Sequence, residues 1–435
     1  MRLVLLVLAI AALPLTRAAA QDRACVFVID HVGREGARVE TASGTNYHAG
    51  GGVRFRCRNL PVTMASDSVA AYAGNVVQFI GNVRYNDSAV AMTANTGTYH
   101  RNGDRWESRG NVVARKLDTG TTLRGPALDY LRAVPGRRDT SELIATGRPR
   151  IEYFPSDDGS GAPEPYLIVA NRVRVRGEDR VWASGSVTID RSDFAATADS
   201  LELDTGPAGE GTLLGKPVLR GLGADTFTVS GRRIDLDLEG RALTYLTAVD
   251  SAQVVSADWD LVADTIGLDI EDRALHQTLA WGDARRPVGI AADYEIRGDS
   301  LAIDTPGQQL RELRTYGDGW IGTGIDSVSG QRNWLAGDTV VAVFVPRDSA
   351  GEAAPADTTD AGDPMLSEMR ARVDARAFHV VENEGRPERP SLNYVRGEAI
   401  VLTFRGPRGD EKRETVVRVD VAGQVEGLQL EPEGR

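Results

Sequence analysis

The sequence predicts an all-β chain built from stacked units of about 30 residues, and three observations predict it. First, apolar residues alternate with polar ones in Val83-x-Tyr85, Val187-x-Ile189, Leu201-x-Leu203, Ile234-x-Leu236-x-Leu238, Ile266-x-Leu268-x-Ile270 and Leu301-x-Ile303. A period of two puts every apolar member on one face of a strand. Second, GNVRYNDSAVAMTANTGTY (81–99) aligns without a gap over GSVTIDRSDFAATADSLEL (185–203), with Gly81/Gly185, Val83/Val187, Ser88/Ser192, Ala91/Ala195, Thr93/Thr197 and Ala94/Ala198 coinciding. Third, Asn86-Asp87, Asp118-Thr119-Gly120, Arg191-Ser192 and Glu239-Gly240 punctuate the runs as turns, and almost no long segment has the 3.6-residue period of a helix.

In chain order, the first element is MRLVLLVLAIAALPLTRAAAQ. Arg2, an apolar run from Leu3 to Leu15 and the small residues Ala18-Ala19-Ala20 predict a secretory signal peptide over 1–20, cleaved near Ala20. The run falls short of the ~20 apolar residues a membrane-spanning helix needs. Cleavage removes Arg2 and Arg17 and no acids, so the net charge of −12 becomes −14. So acidic a chain, with no Lys/Arg block interleaved with aromatics, excludes a nucleic-acid partner and a broad electrostatic grip on anionic membranes. Its two cysteines, Cys25 and Cys57, either form one disulfide across the first hairpins, as an exported chain permits, or stay as unpaired thiols. Without neighbouring histidines they make no zinc site, and neither a metal nor a cofactor is expected.

The β units fill 21–154 and 166–345, separated by the Pro/Gly/Ser/Asp insertion PSDDGSGAPEP at 155–165. GNVVARKLDTGTTLRGPALDY (110–130) is a third copy of the aligned unit, read with Gly-x-Val opening a strand. IDLDLEGRALTYLTAVD (234–250), IGLDIEDRALHQTLAWGD (266–283) and LAIDTPGQQLRELRTYGD (301–318) share a second pattern, a Leu nine residues after the first apolar position and then an Asp. An Asp-Ser/Thr pair at Asp199, Asp264, Asp299 and Asp338 reads as the start of a strand in each. Residues 346–368 form an acidic, aperiodic stretch expected to be a disordered linker or loop. Strands resume over 369–435, in AIVLTF (399–404) and TVVRVDV (415–421), and the chain closes on GQVEGLQLEP (423–432).

Two Asp-Thr-Gly triplets, at Asp118 and Asp204, have the form of aspartic-protease loops, whose paired carboxylates share a proton to activate water. That chemistry needs symmetric positions. Asp204 instead occupies the slot of Asp237, Asp269 and Asp304, none followed by Thr-Gly, while Asp118 sits in a central turn. Both therefore read as turn residues. The five histidines are scattered, and neither a G-x-S-x-G elbow nor a phosphate-binding loop is present. No catalytic residue is assigned.

The rungs GNVRYNDSAVAMTANTGTY, GSVTIDRSDFAATADSLELDTG and VADTIGLDIEDRAL, with the closing GQVEGLQLEP, resemble the organic-solvent-tolerance (OstA-like) family. That family includes the LptA-type periplasmic lipopolysaccharide-transport proteins, and the resemblance covers most of 62–345 and 395–432. It implies an elongated antiparallel β-jelly-roll, V-shaped, whose apolar inner face carries the acyl chains of lipopolysaccharide or a related glycolipid. It also implies a periplasmic, non-enzymatic part in outer-membrane biogenesis. The implied partners are inner- and outer-membrane transport proteins joined by strand addition, with end-to-end self-association. The chain departs from the compact bridge proteins of the family in its length and its acidic insertion.

The lining expected from the alternation is Val83, Tyr85, Val187, Ile189, Leu201, Leu203, Ile234, Leu236, Ile266, Leu268, Leu301 and Ile303, with Phe79, Tyr153, Trp182 and Trp281 as larger members near strand ends. The competing expectations are a structural β-repeat protein with a closed core that binds a protein or glycan outside, and an aspartic-type hydrolase.

Overall fold

A computed structural model describes residues 25–431 apart from 35, 73–74, 135, 156–163, 207–208, 224–225, 240–241, 257–258, 292–293, 326–329, 348–361, 384–385 and 407–413. The expected signal peptide and most of the 155–165 and 346–368 segments lie outside the described residues. The described chain is all-β: thirty strands, every named pairing antiparallel, and two short 3-10 turns. It forms two compact units, one holding the chain up to Arg109 with Asp129–Ser141, the other Gly110–Leu128 with everything from Glu142. The 155–165 insertion joins Arg150–Tyr153 to Tyr166–Val169, a paired hairpin of the second unit. The 346–368 linker is shortened at both ends, because one strand runs to Arg347 and the next starts at Gly362.

In the first unit, Phe27–Arg34, Gly44–Cys57, Thr63–Tyr72, Val76–Asn86 and Val90–His100 pair in that order, and a Cys25–Cys57 disulfide, Cα atoms 5.1 Å apart, ties down the start of the first. Its core is aromatic. Phe79 and Tyr85 both pack on Trp106, with centroids 5.5 and 4.7 Å away, and Tyr85 meets Tyr130 edge-on at 5.9 Å. The turn residue Asp87 is buried beneath this cluster. Its carboxylate accepts the Ala89 and Val90 amides at 2.8 Å and the hydroxyls of Tyr85 and Tyr130 at 3.1 and 2.9 Å. Four donors leave little of the desolvation cost that a buried carboxylate otherwise carries.

In the second unit the strands form two cross-strand ladders. Ladder A passes through Glu142–Thr146, Arg172–Arg176, the first half of Arg180–Asp190, the second half of Phe194–Asp204, Gly209–Leu214 and Arg233–Glu239. It continues through Ala242–Val255, Trp259–Glu271, Ala274–Trp281, Ser300–Asp304 and Glu312–Ile325, and ends at Thr415–Ala422. Ladder B takes the other halves of the same long strands, joined by the short strands Tyr166–Val169, Val218–Gly221, Thr228–Ser230, Val288–Ala291 and Tyr294–Arg297, and ends at Glu426–Leu430.

A long strand can serve both ladders because it bends at a two-residue corner in the left-handed region. Such corners include Gly81–Asn82 in the first unit, and Gly185–Ser186, Asp250–Ser251, Gly317–Asp318 and Val373–Asp374 in the second, with φ between 47° and 80° at these ten residues. Pairing skips across each, between Ile80 and Val83, Ser184 and Val187, Val249 and Ala252, Tyr316 and Gly319, and Arg372 and Ala375. Extra residues on one side of a ladder sharpen the local twist and turn the strand. Gly, Asn, Asp and Ser dominate these pairs because they tolerate positive φ most cheaply.

Gly-x-Val therefore does not open a strand: Gly81 and Gly185 lie in the middle of Val76–Asn86 and Arg180–Asp190. The recurrent Asp is mid-strand at Asp199, Asp264 and Asp338, whereas Asp299 lies just ahead of Ser300–Asp304 as expected. Asp199, Asp264 and Asp299 lie against the α-carbons of Gly215, Gly282 and Gly317 and leave no room for a Cβ.

Gly185 and Gly120 have the same φ of 80°, but a Cβ on Gly185 would meet Asn171 Nδ2 at 2.6 Å while one on Gly120 meets nothing within 4 Å. Gly120→Ala is expected to cost about 1 kcal/mol from backbone conformation alone. Gly185→Ala should cost about 3 kcal/mol, because the corner must also shift. Urea denaturation of the two variants checks the difference; equal costs would mean that the corner is not sterically locked.

Candidate functional site

All twelve residues of the expected lining face inward, at 3 % exposure or less. Eight of them fall on two adjacent rows of ladder A. One row runs Val181, Leu203, Gly211, Leu236, Leu246, Leu268, Thr278, Ile303, Leu313, each directly opposite the next. The other runs Ala183, Leu201, Leu213, Ile234, Ala248, Ile266, Ala280, Leu301, Thr315 in the same way. Val187 and Ile189 lie on ladder B, and Val83 and Tyr85 in the first unit.

Ladder B also supplies inward residues that the alternation did not single out, among them Leu219, Val229, Leu261, Ile296 and Ile321, all at 2 % exposure or less. Their strands are three or four residues long over much of the ladder, too short for a period-two pattern to show. Phe79 and Tyr153 are buried as expected, but Trp182 and Trp281 are not part of the lining. Trp182 faces outward under the Arg174 guanidinium, 4.9 Å from its centroid, and Trp281 is 41 % exposed, because both occupy the outward phase of their strands.

The rims of the two ladders meet along a seam held by polar contacts. The nearly buried Lys116 donates from Nζ to the Gly177 carbonyl at 2.8 Å and lies 3.3 Å from Asp118. The Tyr153 hydroxyl donates to the Glu178 carbonyl at 2.8 Å and shares a hydrogen bond with Thr205. Farther along, Tyr294 donates to Glu414 at 3.2 Å. Between these closures the seam gapes at a cavity of about 670 Å³, floored by Phe194, Phe227, Leu243 and Ile270. A second cavity, of about 370 Å³, lies between Trp320, Trp334, Arg297 and Arg376.

Asp118 and Asp204 each serve a turn. Asp118 accepts the Thr119 amide at 2.6 Å; Asp204 accepts the Gly206 amide at 3.0 Å and pairs with Arg180 at 2.9 Å. Asp204, Glu210, Asp237, Tyr245, Asp269, Gln277 and Asp304 form one cross-strand row, so the shared Asp slot is a register position just beyond the apolar rows. Asp269 was read from sequence only as a member of the recurrent Asp slot and Glu271 was not singled out; both lie beside His276. Their ligand atoms lie within 4.8 Å of one another across the Glu271–Ala274 hairpin, the arrangement among the described residues that could hold a metal ion. The sequence signal, Asp-x-Glu followed by His across a tight turn, was there to read.

Compared with known proteins, the chain matches no family model and no curated sequence. Among the described residues no helix is long and apolar enough to cross a membrane. The fold and site define an antiparallel all-β protein with an apolar interior.

Burial raises the phenols of Tyr85, Tyr99 and Tyr153 above their ordinary range, and the carboxylates of Asp87 and Asp104 add to it at Tyr85 and Tyr99. Their contribution to stability is complete below the unfolded tyrosine value near 10 and is lost as pH rises through the folded values, by about 1.4 kcal/mol per phenol per pH unit. Denaturation midpoints should accordingly fall above about pH 10. Absorbance at 295 nm should show these three phenolates forming only with unfolding. Titration of all 11 tyrosines near the ordinary value in the folded protein would contradict their burial.

Proposed function

We propose that the protein is a non-enzymatic periplasmic carrier of acyl chains, related to the OstA-like, LptA-type lipopolysaccharide-transport proteins and built on their jelly-roll of repeats of about 30 residues. The observation that supports this most is the pair of almost wholly apolar rows along ladder A, half-exposed at its end. Leu313 on Glu312–Ile325 and Val340 on Arg332–Arg347 are at most 1 % exposed, while Val416, Val419 and Val421 on Thr415–Ala422 are only half-buried. Acyl burial on such a face is worth about 0.8 kcal/mol per CH₂ and needs no cationic clamp, which suits a chain of net charge −12.

Among the described residues neither Thr415–Ala422 nor Glu426–Leu430 has a strand on its far side. Free edges of this kind accept another strand, so membrane transport partners or a second copy join there in this reading. Under the carrier reading the seam parts to admit a chain. A closed structural core that binds a partner outside is the second reading, favoured by the near-zero exposure of the lining in the second unit.

A photocrosslinker at Leu203 or Leu268 in cells separates the two. The carrier reading expects adducts with lipopolysaccharide or a related glycolipid at both positions. Complete protection from lipid at both would sink it and leave the closed core.

A further inference from the structure

We propose that the gap in the seam of the second unit binds an amphiphile with a positively charged nitrogen, an alkyl chain ending in an ammonium group. The cavity, about 670 Å³, lies within the ~300–1,000 Å³ typical of small-molecule sites. Its floor is continuous with the apolar interior: Phe194, Phe227, Leu243 and Ile270 are 1 to 7 % exposed. Its rim is acidic. Glu239, Glu271 and Asp272 are exposed there, and among the described residues no lysine or arginine pairs with any of them.

The fourth rim acid, Asp193, is tied to the buried Arg191 at 3.1 Å, and Arg191 also donates to the Tyr166 hydroxyl at 2.6 Å. Among the described lining residues the cation is Arg273, whose guanidinium lies 3.9 Å from Glu164, and His276 lies 3.9 Å from Glu271. Glu239 and Asp272, with Glu271 shared only with His276, thus face a ligand above an apolar floor. An ammonium group can hydrogen-bond to them while its chain lies on the aromatic rings; a sulfate or phosphate headgroup would be repelled.

The site is distinct from the ladder A rows proposed to carry acyl chains, and either can fail without the other. Isothermal titration of the full chain with dodecylammonium, dodecyl sulfate and dodecyl maltoside, each below its micellar concentration, tests it. Dodecylammonium should bind at least about tenfold tighter than the sulfate at low salt, a preference that shrinks at high salt. Glu271→Gln with Asp272→Asn, both exposed, should remove most of that preference and leave maltoside binding unchanged. Leu243→Trp should weaken all three by filling the floor.

Equal binding of the ammonium and sulfate amphiphiles, no binding of either, or a preference that survives the double variant would overturn the proposal. So would a folded Leu243→Trp protein that binds all three as before. Crosslinking at Leu203 by lipid is unaffected by the double variant if both readings hold.

Discussion

The constraint on which the rest of this structure depends is the left-handed two-residue corner. An extended strand of eleven residues, such as Arg180–Asp190, would otherwise belong to one ladder along its whole length. The corner at Gly185–Ser186 breaks the register between Ser184 and Val187 and hands the two halves to different neighbours, Arg172–Arg176 and Tyr166–Val169. Repetition of that break is what yields two ladders rather than one flat sheet, with inward residues of both at near-zero exposure. Most corners use residues that accept positive φ, but Val373 holds a φ of 61° despite its branched side chain, so there the surrounding ladder imposes the conformation.

Polar groups are used where the ladders must meet. Inside, the rows are almost wholly apolar; the two threonines among them, Thr278 and Thr315, are fully buried, and Thr315 donates to the Arg297 carbonyl at 3.0 Å. At the rims, by contrast, turns leave backbone carbonyls without strand partners, and Lys116 and Tyr153 satisfy those of Gly177 and Glu178. Such contacts hold a seam shut through hydrogen bonds that water can replace, whereas the interior rests on burial that water cannot. A gap over an apolar floor lies where the Gly223 backbone approaches the Arg273 carbonyl and the rim acids gather.

Much of this was legible in the chain because it is local. Alternation such as Ile266-x-Leu268-x-Ile270 sets which side chains share a face regardless of what that face meets, and all three are buried. Asp87 could be read as a turn residue from its neighbours, and its capping of the Ala89 and Val90 amides is the local reason. The phase of Gly-x-Val, and of Asp-Ser-Leu at Asp199, was misread for the same reason. Gly and Asp commonly mark strand ends, and nothing within the segment distinguishes an end from a corner midway along a strand. What distinguishes them is the neighbouring strand, where Asp199 lies against Gly215.

By itself, then, the sequence determined that the chain is β, which residues of its longer strands face inward, and that Asp118 and Asp204 belong to turns. Each of these follows from residue type and spacing within a dozen positions. Only the tertiary structure decided that the recurrent Asp slot is a single row crossing successive strands, that strands as short as Thr228–Ser230 build half of the interior, and that the rims of Asp193 and Arg273 leave a cavity between them. Those features depend on the register between distant segments and on how closely two rims approach. Both are set by the sum of many cross-strand contacts and by no single stretch of the chain.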